Sequence, residues 1–92
     1  MKTIWKFPFE ITDSFSVVMP IDSQFLHVAE QHSKACMWYG VDTDLPDCLY
    51  YFVLRGTGHK LDGTEGRFLG TFMMYGGDLI FHLFERKEKN GA

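Results

Sequence analysis

Cysteine, proline and positive charge are all scarce in this chain, and each scarcity closes a class of explanation. Its 92 residues hold two cysteines, Cys36 and Cys48. A disulfide scaffold needs more, so the count fits a reduced, cytoplasmic setting in which both thiols serve as small apolar residues. Basic residues number 9 against 12 acidic ones, for a formal net charge of −3. No basic stripe runs along the chain, which argues against a nucleic-acid partner held through phosphates. Arg86, Lys87 and Lys89 form the one cationic cluster, diluted by Glu85 and Glu88. Long apolar runs are missing as well. The opening segment from Met1 to Glu10 is broken by Lys6, Pro8 and Glu10, so no signal peptide is expected, and no stretch of the chain reaches membrane-spanning length.

The usual catalytic and metal-binding signatures are absent too. There is no Cys-x-x-Cys or His-x-x-x-His pair, so His27, His32, His59 and His82 read as isolated histidines rather than zinc ligands. Asp42, Asp44 and Asp47 share an acidic loop but lack the glycine and terminal glutamate of a calcium loop. Apart from Lys34 near Cys36, neither cysteine has a neighbour that would activate it. The expectation is therefore no catalytic residue, no metal and no cofactor.

Aromatic residues are abundant: nine Phe, four Tyr and two Trp, within a hydrophobic fraction of 46 %. That suffices for one packed core. The dominant pattern is alternation with a period of two. Trp5, Phe7 and Phe9 share one face of a first strand, and Pro8 marks that strand as an edge. Phe15, Val17 and Met19 alternate with Ser14, Ser16 and Val18. Gln24 to Gln31 fits a strand better than a short helix capped by Asp22 or Ser23, and His32-Ser33-Lys34 would turn it into Ala35–Val41. Cys48–Arg55 is apolar on both faces, as a doubly covered central strand would be. Arg67–Tyr75 and Asp78–Phe84 flank Gly76-Gly77, a two-residue hairpin signal.

Six to seven short strands and no long amphipathic helix predict an all-β domain, a small antiparallel sandwich or barrel, over residues 1–86, with a flexible tail at 87–92. The predicted core includes Trp5, Phe7, Phe15, Val17, Met37, Phe52, Phe72, Phe81 and Leu83. Unpaired strand edges and surplus aromatic surface in so small a domain predict a homodimer.

The glycine-rich segment from Gly56 to Gly66 is the place where a ligand would sit. Gly56 and Gly58 allow the backbone to turn successive N–H groups toward one point, an anion-binding nest. Arg55, Thr57, His59 and Lys60 can add contacts to a phosphate, so Arg55, Gly56, Thr57, Gly58, His59 and Lys60 form the candidate ligand site. The segment lacks P-loop spacing and precedes a strand, and a plain strand-linking turn is the competing reading. Trp38, Tyr39, Tyr50 and Tyr51 form a possible aromatic platform, with core packing as the alternative.

Several motifs together resemble a family of short uncharacterised proteins from bacteria and their phages. They are Met1-Lys2-Thr3-Ile4-Trp5-Lys6-Phe7-Pro8, Phe25-Leu26-His27-Val28, Cys36-Met37-Trp38, Gly56-Thr57-Gly58-His59, Phe68-Leu69-Gly70-Thr71-Phe72 and Gly76-Gly77-Asp78-Leu79-Ile80-Phe81-His82-Leu83-Phe84-Glu85. The resemblance implies a small stand-alone protein, often encoded by a phage or prophage, and implies no activity. The expected function is a non-catalytic binding protein that acts on a host protein or sequesters a small anionic ligand such as a nucleotide. The alternatives are a small enzyme for a phosphorylated or nucleotide substrate, using the glycine loop with His59 or His82, and a structural or virion assembly module.

Overall fold

A computed structural model describes residues 1–86; the expected tail at 87–92 lies outside the described residues. Seven strands follow one another: β1 (Lys2–Phe9), β2 (Ser14–Pro20), β3 (Gln24–Gln31), β4 (Lys34–Asp42), β5 (Asp47–Gly56), β6 (Arg67–Met74) and β7 (Leu79–Arg86). They form two antiparallel sheets, a three-stranded one in the order β1-β4-β3 and a four-stranded one in the order β2-β5-β7-β6. The sheets do not close on themselves, so the fold is a sandwich rather than a barrel. No helix is long and apolar enough to cross a membrane among the described residues.

Local sequence explains several of these elements. Gln24–Gln31 is a strand because Gln31 pairs with Lys34 across a two-residue turn, whose central residues His32 and Ser33 have φ of 53° and 67°. Positive φ at both positions matches the right-handed twist of the flanking strands. Pro8 lies on β1, an edge strand, as its missing N–H requires. The last hairpin differs from expectation. Met74 pairs with Leu79, so the connection is four residues, Tyr75 to Asp78, with positive φ at Tyr75, Gly76 and Gly77. The glycine pair permits the turn but does not make up the whole of it.

The core lies between the sheets. Met19, Met37, Tyr39, Phe52 and Leu83 are fully enclosed, and Phe9, Val28, Val41, Leu54, Phe72 and Met74 pack around them. Of the predicted core, Met37, Phe52, Phe72 and Leu83 are buried, while Phe7, Phe15, Val17 and Phe81 are only partly so. Trp5 is a correction: it faces inward on β1 but remains 38 % exposed, because β1 is an edge and its flank is uncovered. Phe81→Ala accordingly costs less than the loss of a fully buried ring. β5 is interior to its sheet, yet Leu49 on its outer face is half exposed, so the strand is not covered on both sides throughout. Tyr39 and Tyr50 are taken up in the core rather than in a platform. Tyr39 and Tyr50 meet inside the sandwich with ring centroids 5.9 Å apart, and the Tyr50 hydroxyl donates to the Pro20 carbonyl at 3.1 Å.

The Tyr39 hydroxyl donates to Glu85 Oε1 at 3.1 Å. Burial, then the neighbouring Glu85 carboxylate, raises its ionisation far above the ordinary value of 10.0. In the unfolded chain the same phenol ionises near its ordinary value. The stability that depends on neutral Tyr39 is therefore intact below about pH 10 and falls as the pH rises further. Thermal melting across that range should show a steeper alkaline decline for the wild type than for Tyr39→Phe; parallel curves would refute this.

Candidate functional site

The segment after β5 folds over the outer face of the four-stranded sheet. Strand register defines that face. Arg55 stands opposite His82, Thr71 opposite His82, and Phe68 opposite Phe84, while Leu54 and Leu83 point into the core. Side chains of distant sequence position thus share the surface onto which the glycine loop closes.

The loop begins with a tight turn in which the His59 N–H donates to the Gly56 carbonyl at 3.0 Å. Gly58 is the third residue of that turn and has φ of +90°, which suits glycine. The Gly56 N–H donates to His59 Nδ1 at 3.1 Å, placing the imidazole hydrogen on Nε2. The Thr57 N–H donates to the Ile80 carbonyl at 3.2 Å, and the Thr57 hydroxyl meets His82 Nε2 at 2.8 Å. The other nitrogen of His82, Nδ1, meets the Thr71 hydroxyl at 2.9 Å. His82 therefore ties the loop to β6 and β7.

The second half of the loop is organised by Glu65, only 5 % exposed. Its carboxylate accepts from Arg55 Nε at 3.2 Å, from the Asp62 N–H at 2.9 Å and from the Gly63 N–H at 3.0 Å. Arg55 also lies 3.9 Å from Asp62 and donates to the Leu54 carbonyl at 3.0 Å. Asp62 in turn accepts from the hydroxyl and N–H of Thr64, which hold its carboxyl down at about 2. The guanidinium thus carries two carboxylate neighbours.

Of the residues singled out from sequence, Arg55, Gly56, Thr57, Gly58 and His59 line one cavity of about 300 Å³. Lys60 is exposed on the loop beside it. The cavity is completed by Leu61, Phe68, His82 and Phe84, three of them apolar. Phe68 and Phe84 meet edge to face, with centroids 5.5 Å apart. Leu61, Phe68 and Phe84 were not part of the expected set, and His82 entered it only in the enzyme alternative. Phe68 and Phe84 look like ordinary strand positions until the β6–β7 register places them beside the loop. The chemistry also differs from a bare phosphate nest. The N–H groups of Gly56, Thr57 and His59 are engaged within the protein, and Arg55 is held by Glu65, so an apolar slot with imidazoles at its rim is what remains open.

Other candidate clusters are dispersed. His27 lies against Trp38 on the far sheet, ring centroids 5.8 Å apart, and His32 sits in its hairpin turn. Asp42 and Asp44 hold the N-terminal amine at 3.5 and 2.9 Å. Among the described residues, no group of three or more His, Cys, Asp or Glu is placed to hold a metal ion.

A family model described as "Domain of unknown function (DUF7352)" matches residues 1–92. The chain belongs to this family. No curated protein and no solved structure matches it. The DUF7352 match thus spans the sandwich and the loop together.

Proposed function

We propose that this chain is a non-catalytic binding protein that sequesters a small anionic ligand carrying a planar ring, such as a nucleotide, in the cavity beneath the glycine loop. The observation that carries the reading is the convergence of Leu61, Phe68 and Phe84 with His59 and His82 around one space of about 300 Å³. That volume lies at the lower end of small-molecule sites, which are apolar pockets with a few placed polar groups. Stacking a base on an aromatic side chain contributes about 1–3 kcal/mol and does not require a backbone nest, of which the Gly56, Thr57 and His59 N–H groups are already engaged. Lys60, exposed on the loop next to His59, can supply positive charge to the anionic group. The resemblance to short bacterial and phage proteins supports a phage- or prophage-associated role in the cytoplasm, and two free cysteines agree with that setting.

Calorimetric titration with mononucleotides and cyclic nucleotides tests the reading. Phe68 is 54 % exposed, so Phe68→Ala should leave the fold intact. It should weaken binding about tenfold, the equivalent of one lost stacking contact. Absence of binding by the wild type, or unchanged binding by Phe68→Ala, would overturn it.

One arrangement favours the enzyme alternative. If His82 Nδ1 donates to Thr71, its Nε2 accepts the Thr57 hydroxyl hydrogen, and an exposed hydroxyl then stands on a general base. Turnover of a bound nucleotide that Thr57→Val abolishes would select this reading over sequestration.

A further inference from the structure

We propose that the free edge of β2 is a two-fold interface between two copies of this chain, joining their four-stranded sheets into one continuous sheet. Four strands form sheet edges, and three carry a feature that discourages further pairing. β1 contains Pro8 together with Lys2 and Lys6. β3 and β6 are interrupted by register shifts, between Phe25 and His27 and between Phe68 and Gly70. β2 differs. Its one proline, Pro20, is its last residue, and from Ser14 to Met19 it holds no charged residue and keeps an unbroken register with β5. An uncharged, regular edge is a template for another strand.

The direction of its backbone groups follows from one bond. The Leu54 N–H donates to the Asp13 carbonyl at 3.0 Å, and the β2–β5 register continues this pairing as Phe15 with Phe52 and Val17 with Tyr50. In an antiparallel ladder, hydrogen-bonded and non-bonded pairs alternate. Phe15, Val17 and Met19 therefore direct their main-chain groups to β5, and Ser16 and Val18 direct theirs to the open side. An axis through Val17 places Ser16 of one copy opposite Val18 of the other, in both directions. Each pair then exchanges its N–H and carbonyl groups. The arrangement is self-complementary, as a two-fold interface must be.

The state of the core identifies a second copy as the occupant. Along the opposite flank, β3 and β6 close the sandwich: a Cβ placed on Gly70 would lie 3.1 Å from Val28 Cγ1, and Val28 and Phe72 are 5 % and 4 % exposed. The flank of β1 and β2 is open. Trp5 stays 38 % exposed although it faces inward, and Phe7, Phe15 and Val17 on the same flank are only partly covered. Just outside the edge, Val18 and Leu49 stand opposite one another, 54 % and 50 % exposed. The same surface that has free backbone groups therefore has uncovered aromatic and aliphatic side chains. A sheet extended through β2 brings the matching flank of a second copy against them, and the uncharged strand adds no repulsion between two acidic chains.

Sedimentation of the full chain at micromolar concentration should give twice 10.7 kDa. Val18→Lys should sediment as a folded monomer, because it puts a charge beside the axis, opposite Ser16 of the other copy. Ser16→Pro should do the same, since it deletes a donor on the open side and leaves the β5 ladder intact. In the wild-type dimer the Ser16 and Val18 amides should resist hydrogen exchange, and in Val18→Lys they should exchange freely. A monomeric wild type, or a dimer that survives both substitutions with those amides unprotected, would overturn the proposal.

Discussion

Gly66→Ala is expected to destabilise the fold by about 2–6 kcal/mol, the sum of a backbone term and a packing term. Gly66 has φ of +91°, which side-chain-bearing residues rarely adopt. An added Cβ would also collide with the Glu85 carbonyl oxygen and come within 2.7 Å of Arg86 Cα. Both belong to the backbone of β7, so no side chain can swing away to make room. Relief would require β6 and β7 to separate where Arg67 pairs with Glu85. The neighbouring glycine supplies the control. Gly63 has φ of +88°, but a Cβ there meets nothing within 4 Å. Gly63→Ala should therefore carry the backbone term alone, about 1–3 kcal/mol. Thermal denaturation of both variants reads the difference, which at about 4–8 °C per kcal/mol for a domain of this size is large. Equal melting temperatures for the two would show that the approach of Gly66 to β7 is not tight.

Glu65→Ala should cost about 3–5 kcal/mol, because it removes one partner of a largely buried ion pair. The side chains of Glu65 and Arg55 are 7 % and 18 % exposed. Without Glu65, Arg55 keeps only the more distant and exposed carboxylate of Asp62, and the N–H groups of Asp62 and Gly63 lose their acceptor. Glu65→Gln retains an acceptor oxygen and should fall between alanine and wild type. Urea unfolding measures the order wild type, glutamine, alanine. If alanine matched wild type, Glu65 would have no part in holding the loop. The same substitution should also remove ligand binding, since the loop that roofs the cavity is anchored through Arg55 and Glu65. Loss of stability with binding unchanged would separate the cavity from the Glu65 anchor.

Much of this was legible from residue order alone. Alternation with a period of two located most of the strands, since neighbouring side chains on a strand point to opposite faces, and a run apolar on both faces located β5. Pro8 identified an edge, and the Gly56–Gly66 segment was recognisable as the irregular stretch between two strong strands. These are local properties, decided by each residue's own stereochemistry and that of its neighbours.

What only the tertiary structure decided depends on pairings between distant residues. Alternation says which side chains share a face, but not how much of that face another element covers. Trp5 follows the inward pattern and remains exposed because β1 has an open flank. Phe68, His82 and Phe84 meet the glycine loop only through the β6–β7 register. Arg55 looked like a free cation beside a nest, and Glu65, ten residues on, occupies it. Ion pairs, cavity walls and covered flanks arise where separate strands come together, and strand register, set by packing across the whole sandwich, is what brings them there.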